Sequence, residues 1–434
     1  MDPAKHIFVV GLDDIHLKQL QGLRHADRYR FHELFRRSDI KTGLTDAAER
    51  IYTGAIAKLA ASADPVDAIV GFWDFPVSTM LPLLRRVYDL PSPSFEALLK
   101  CEHKYWSRLE QRVVAPECIP EFCAVDPFAE DAMAHTTVPY PFWIKPVKSV
   151  LSYLGFKVHD DAEFEAALAR VRVGIPKIGI PFNYLLDFAE LPPEIAGVDG
   201  NHCIVESIIS AGRQCTLEGY ALADEIVVYG AVDSIREGRH QSCFQRYQYP
   251  SALPEDVVAR MTSITERVLS HMGFTYSPFN IEFYWDEQAD EIRLLEINTR
   301  ISKSHCPLFH MVDGEYHHQV MIDVALGQRP AFPHREGRYG VAAKFMWRAF
   351  EDALVRRVPT EEEIARVQRL FPEAEIEVHL TEGARLSDLK FQDSYSYEMA
   401  TIFLGGDSEA ELLEKYDRCR EALNIELLPV DVGP

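Results

Sequence analysis

Apolar residues in this chain fall into short runs and alternations, and the period of each stretch predicts its element. Residues 5–11 (KHIFVVG) form an apolar run ending at a glycine, and residues 67–71 (DAIVG) form a second, after a helical stretch over 45–61. Strands alternating with helices predict an open parallel sheet, so residues 1–95 are expected to form a small α/β domain. A helix rich in Lys and Glu is expected over 96–112. Residues 142–146 (FWIKP) and 156–158 read as strands, and 161–171 as a helix opened by Asp160 and Asp161. Further strands are expected at 203–206, 214–221 and 226–231, then an amphipathic helix over 254–272. Strands at 341–347, 375–379 and 399–404, with helices near 360–370 and 408–422, predict a small C-terminal α+β subdomain.

The densest pattern lies between these parts. Residues 279–285 (FNIEFYW) and 294–300 (LEINTR preceded by Leu294) alternate apolar and polar positions across a short polar connector, 286–290. As a hairpin, Trp285 is expected to face Glu291 and Glu282 to face Leu294, with Glu296 the diagonal neighbour of Glu282. Ile281, Phe283, Trp285, Leu295 and Ile297 would form the core face. Glu282, Glu296 and Asn298 would share the other face, continued by Arg300. Acids gathered on an otherwise apolar hairpin need a counter-charge, and magnesium, a hard cation with oxygen ligands, meets that need. A solvated acidic face is the alternative reading of the same residues.

Composition narrows the field. The chain has 434 residues, too many for one compact core, so two to four domains are expected. A formal net charge of -22 disfavours nucleic-acid and anionic-membrane partners. Neither end carries a signal peptide or a long apolar run. The eight cysteines are scattered without a CxxC pair, which predicts free thiols in a reducing cytoplasm. Gly11 is followed by Leu12, Asp13 and Asp14, so the GxGxxG fingerprint of a pyridine-nucleotide site is missing and a dehydrogenase is disfavoured.

In order along the chain stand a lysine in a helix, a lysine ending a strand, an acid ending a buried strand, then Glu282 and the run Glu296-x-Asn298-x-Arg300. That order resembles the ATP-grasp superfamily over roughly residues 95–330, and LEINTRI followed by His305-Cys306-Pro307 is similar to biotin carboxylase. The resemblance implies a three-lobed ATP-grasp fold of α/β and α+β class. Its parts would be an N-terminal Rossmann-like domain (1–95), a linker helix with the start of the ATP-grasp region (96–140), a small lobe (141–210), a large lobe with the metal hairpin (211–330) and a C-terminal α+β subdomain (331–434). It implies ATP and magnesium or manganese as ligands, the metal on Glu282, Glu296 and Asn298. Lys104 and Lys145 would meet the phosphates, and Glu206, with backbone groups of Ser207 and Ile209, would hold adenine. Gln214 would lie near the ribose. Arg300 would clamp the acyl phosphate or the carboxylate, with Glu282 or Glu296 as its structural partner otherwise. Because Lys145 ends a buried apolar strand, a phosphate partner is expected for it.

Two departures qualify the resemblance. The phosphate-covering loop after Lys145 has a single glycine, Gly155, so Lys148, Ser149 and Ser152 are expected to donate in place of bare backbone. Biotin carboxylase has a glutamate base just before the residue matching His305; here Ser304 stands there, and the Arg239-His240-Gln241-Ser242 tract lacks the lysine that ends it in that enzyme. Lys303 or His305 would then face a different substrate. The expected reaction is ATP-dependent joining of a small-molecule carboxylate to an amine through an acyl phosphate, releasing ADP and phosphate, with amino acids as the expected substrates. An ATP-grasp enzyme with a thiol or carboxylase-like nucleophile, and a nucleotide-binding protein without catalysis, are the alternatives. The resemblance also admits a homodimer.

Overall fold

The computed structural model describes residues 3–40, 46–149, 153–236, 243–389 and 396–430. Their strands form sheets of three, eight, two and four strands. In the N-terminal sheet the buried strand Lys5–Leu12 lies between Tyr29–Arg36 and Ala68–Val70, all parallel. The edge strand Tyr29–Arg36 (YRFHELFR) is not read from the pattern, because its half-exposed positions break the apolar run. The helices Ala47–Ala60 and Val77–Val87 cover this sheet with Ile51, Ala55, Leu59, Met80 and Leu84. Trp73 and Asp74 follow the strand Ala68–Val70 at its carboxyl end, where open parallel sheets present side chains to ligands.

The helix expected over 96–112 is two helices, Phe95–Glu102 and Lys104–Val114. His103 breaks it: its backbone is extended (φ -84°, ψ 100°), and its Nδ1 accepts from the Trp106 amide. Its Nε2 lies 2.8 Å from the Val198 carbonyl oxygen. Burial pushes this imidazole down to about 4, so it stays neutral and acts as a wedge. The break starts a new helix at Lys104, whose amide donates to Val147 O at 2.9 Å. Lys104 and Arg108, one turn apart, then share a helix face.

A small antiparallel sheet follows, in the order Phe122–Val125, Cys203–Ser207, Phe142–Pro146, Phe156–Val158. The helix Asp161–Gly174 buries Phe164, Leu168 and Val171 against Phe142, Ile144, Val158 and Val205. Asp160 caps that helix by accepting from the Glu163 amide.

The large sheet is antiparallel throughout. Its order is Glu291–Asn298, Ser277–Asp286, Arg213–Leu222, Glu225–Arg236, Phe244–Tyr249, Val341–Ala349, Tyr397–Gly406, Glu375–Val378. The C-terminal strands therefore continue the large lobe's sheet, because Val341–Ala349 pairs with Phe244–Tyr249. Val341, Ala343 and Phe345 face one core and Ala342 another, so this strand is covered on both sides. Only Ala353–Arg357 and Glu426–Pro429 form a separate ribbon.

The hairpin register differs from the sequence expectation. Glu282 lies directly opposite Glu296 and Asn280 opposite Asn298, while Phe283 pairs with Leu294 and Trp285 with Ile292. Leu295 is the extra residue of a β-bulge. The bulge turns Leu294 into the core and leaves Leu295 half-exposed, reversing the expected roles of the two leucines. Behind the hairpin the helix Glu255–Met272 packs Met261, Ile264, Val268 and Leu269 on Phe279, Ile281, Phe283 and Ile297.

Candidate active site

The two opposed carboxylates define the centre of the site. Glu282 accepts from Gln214 Nε2 at 2.8 Å and from Asn298 Nδ2 at 3.4 Å. Asn298 Nδ2 also donates to Asn280 Oδ1 at 2.9 Å. Burial, and then the charge of Glu296, push the Glu282 carboxyl up to about 7. Lys104 Nζ lies 3.3 Å from Glu296 and is the cation at hand. A carboxylate so disfavoured beside a second one, with amide oxygens around them, is an all-oxygen donor set short of positive charge. It fits magnesium or manganese on Glu282, Glu296 and Asn298.

Glu206 ends the strand Cys203–Ser207 and is nearly fully buried. Its carboxylate takes Lys145 Nζ at 2.7 Å and Arg108 Nε at 2.6 Å. Burial opposes its charge, yet those two cations hold it down at about 2. Lys145 therefore has a carboxylate partner where a phosphate was expected, because Glu206 on the neighbouring strand supplies the counter-charge its burial demands. The Ser207 amide donates to Glu121 O at 2.9 Å, so that N–H is committed within the sheet. Ile209 is half-buried in the loop beyond. Gln214 is buried and bridges Glu282 to Arg236, whose Nε donates to Gln214 Oε1 at 3.0 Å.

Arg300 does not pair with either hairpin acid. Its Nε donates to Asp74 Oδ1 at 2.6 Å, because the N-terminal domain docks its Leu12, Leu20 and Phe72 against Ile301, Cys306 and Ile322 and brings Asp74 to the hairpin's end. Lys148 Nζ is 2.7 Å from buried Glu102, which also accepts from Thr299 Oγ1 at 2.6 Å and from Thr79. Ser149 is buried, with its carbonyl 3.5 Å from Lys104 Nζ. Ser152 and the tract 239–242 lie outside the described residues. His305 is buried with Nδ1 2.7 Å from Glu218, which fixes the ring, and lies edge-on to Tyr247. Lys303 stands over the Trp73 ring at 4.7 Å.

Sequence reasoning missed Arg108, Asp74, Glu102 and Glu218. Arg108 carried a signal, the i+4 spacing from Lys104 on one helix. Asp74 carried a weaker one, its place just beyond a buried parallel strand. Lys104, Arg108, Lys145, Glu206 and Glu296 line a narrow crevice of about 10 Å³. A larger open hollow of about 520 Å³ on the N-terminal sheet, lined by Phe8, His32 and Lys58, contains none of the candidate residues.

Residues 138–306 match the family model described as the ATP-grasp domain. The chain therefore carries an ATP-grasp domain, as its motif order indicated. Over nearly the whole chain the fold is that of known ATP-grasp proteins. It is similar to the L-amino acid ligase from Bacillus licheniformis, at 16% identity and TM-score 0.72, covering 98% of this chain and 99% of that one. It is also similar to the biotin carboxylase from Campylobacter jejuni, at 15% identity and TM-score 0.63, covering 98% and 92%. A third is phosphoribosylglycinamide synthetase from Anaerococcus prevotii, at 14% identity and TM-score 0.61, covering 98% and 100%. No curated protein matches the chain by sequence. Among the described residues no helix is long and apolar enough to cross a membrane.

Proposed function

We propose that this protein is an ATP-dependent carboxylate–amine ligase that works through an acyl phosphate, with amino acids or short peptides as substrates. The observation that carries the reading is the half-buried pair Glu282 and Glu296 on facing strands, ringed by Lys104, Asn298 and Arg300. A binding scaffold has no use for two acids held together at a cost in ionisation. Magnesium held by Glu282, Glu296 and Asn298 would neutralise nucleotide phosphates. Lys104 and Lys145 would bind phosphate oxygens, and Arg300, aimed by Asp74, would hold the acid beside the γ-phosphorus. A carboxylate oxygen attacks that phosphorus and ADP leaves. The amine then attacks the acyl carbon, loses a proton, and expels inorganic phosphate as the amide forms.

Ser304 argues against bicarbonate chemistry, because a serine is no substitute for a carboxylate base near neutral pH. The amino-acid ligase among the structural neighbours supports an amine acceptor. The all-free cysteines suit a cytoplasmic enzyme. The test is a matrix of acids and amines with ATP and magnesium, scored for phosphate release and product mass. One phosphate and one ADP per amide are expected, with no stimulation by bicarbonate. Stoichiometric AMP and pyrophosphate, or phosphate release driven by bicarbonate alone, would overturn the reading.

A further inference from the structure

Next to Arg300 the site holds cations that the reaction as described does not use. Trp73 is pinned by its Nε1–H, which donates to Gly11 O at 2.7 Å. Gly11 sits at φ +85°, and a Cβ there would lie 2.6 Å from the Trp73 ring, so only glycine admits this packing. Arg37 lies over the ring at 3.7 Å and Lys303 at 4.7 Å. The Arg37 Nε is buried without a hydrogen-bond partner. Lys344, on the strand Val341–Ala349, stands 5.9 Å from the Tyr247 ring and adds its charge to that felt by Lys303. Burial first, then Lys344 and Arg300, push the Lys303 ammonium down to about 8.

The carboxylates near these cations, Asp74 and Asp13 by Arg37 and Glu377 and Glu398 by Lys344, attract them without pairing directly with any of the three. Asp74 takes Arg300, and Asp13 takes the His16 ring at 2.6 Å. Among the described residues, Lys303, Arg37 and Lys344 form no ion pair with a carboxylate. Half-buried cations without a directly paired carboxylate gain from a ligand that supplies the charge. Arg37, from the N-terminal domain, and Lys303, from the segment after the hairpin, both lie against the Trp73 ring, and Lys344, by Tyr247 on a C-terminal strand, acts on Lys303. Such a place takes an anion attached to a small organic body.

We propose that Lys303 and Arg37, against Trp73, with Lys344 by Tyr247, form an anion subsite that reads a second carboxylate or phosphate on one of the two substrates, beyond the carboxylate being activated. This rests on the ligase reading and deepens it: one partner of the pair is a dicarboxylic or phosphorylated acid, or else an amine that itself bears an anion. Arg300 holds the reacting carboxylate, and Lys303, three residues on, meets the additional charge.

The test compares substrates matched in length. In one arm succinate and glutarate are set against butyrate and valerate with a neutral amine. In the other, amino acids are set against their amides with a monocarboxylate. One arm is expected to favour the additional anion by about tenfold or more in kcat/KM, the size of one charge-assisted hydrogen bond. Lys303→Met should raise KM for that substrate by about the same factor with kcat and the KM for ATP little changed, and Lys303→Arg should restore it. Calorimetric binding of succinate against butyrate, and of alanine against alaninamide, to the enzyme with ADP and magnesium gives the same comparison without turnover. If no acid–amine pair turns over but this binding preference is seen and is lost in Lys303→Met, the ligase reading fails and the anion subsite stands. Equal use and equal binding of singly and doubly charged substrates in both arms would overturn the subsite. So would a Lys303→Met variant whose loss falls on ATP affinity, since the cluster would then serve the nucleotide. Urea unfolding of the ligand-free Lys303→Met protein should show unchanged or higher stability, whereas a clear loss would mark Lys303 as structural and refute the proposal.

Discussion

Arg108→Met is the most searching perturbation of this site. The Arg108 guanidinium is almost fully buried and makes four hydrogen bonds. It reaches Glu206 at 2.6 Å, Gln111 at 2.7 Å, and the carbonyls of Leu294 and Leu295 at 2.9 Å each. It therefore joins the strand Cys203–Ser207 to the bulge that sets the acidic hairpin's register. The Glu206 carboxyl sits at about 2 against an ordinary 4.5, burial raising it and the charges of Arg108 and Lys145 more than compensating. A depression of that size corresponds to about 3 kcal/mol of stability, shared between the two cations. Loss of Arg108 also orphans two backbone carbonyls at about 1 kcal/mol or more each. Together the expected loss is about 3–5 kcal/mol, within the range for breaking one side of a buried pair. Arg108→Lys keeps the charge but cannot span four acceptors, so about half the loss is expected. Urea unfolding followed by fluorescence measures both variants. Because the folded pKa is depressed, the contribution is complete above about pH 4.5 and lost only as pH falls toward about 2. The gap between wild type and Arg108→Met should thus stay constant from about pH 8 to pH 5. A loss below about 1 kcal/mol, or a gap that closes across that range, would refute the network.

Three further outcomes follow from the same geometry. Glu296→Gln should retain the fold and lose turnover, because the amide keeps the shape but not the charge that holds a divalent cation; wild-type phosphate release at saturating magnesium would contradict the metal assignment. ATP with magnesium should raise the melting temperature, by about 2.7 kcal/mol of stability at a hundredfold excess over Kd, and GTP should do so less, since its ring carbonyl would face the Glu206 carboxylate. Equal stabilisation by both nucleotides would remove Glu206 from the adenine site. Asp74→Asn should loosen Arg300 and raise KM for the acid by about tenfold, with ATP affinity unchanged; an unaltered KM would mean that Asp74 does not aim the guanidinium.

Period and motif order made much of this molecule readable, and the failures have definite causes. The parallel N-terminal sheet, whose central strand is an apolar run buried on both faces, and the helix Glu255–Met272 and the acidic hairpin, which each bury one face, follow from apolar spacing. The hairpin register does not, because a bulge at Leu295 adds one residue without disturbing the alternation on either side of it. The break at His103 is similarly silent: the ring's partner is the carbonyl of Val198, far along the chain. Side-chain partners across lobes are the least legible. Lys145 in a buried strand plainly required an anion, and residue type alone could not decide between a phosphate and Glu206. Arg300 needed a carboxylate, and the one it found, Asp74, belongs to another domain.

Those partners carry a consequence for how the site must work. Each cation expected at the nucleotide or the acid already has a carboxylate: Lys145 with Glu206, Lys104 with Glu296, Lys148 with Glu102, Arg300 with Asp74. The crevice lined by Lys104, Lys145, Glu206 and Glu296 has a volume of about 10 Å³, far below the usual room for a drug-sized ligand. A triphosphate entering here must part Lys104 from Glu296, and magnesium must take the charge that Lys104 gives up. Neither step is favourable alone. A bare divalent cation would meet an ammonium 3.3 Å from one of its ligands, and metal-free ATP would meet the Glu282 and Glu296 carboxylates. Nucleotide and metal therefore satisfy the site only as a pair, exchanging one set of ion pairs for another with no net uncovered charge. Magnesium or ATP added singly should shift the melting temperature little, and the two together strongly. Strong stabilisation by magnesium alone would show instead that the hairpin acids are free of Lys104 in solution.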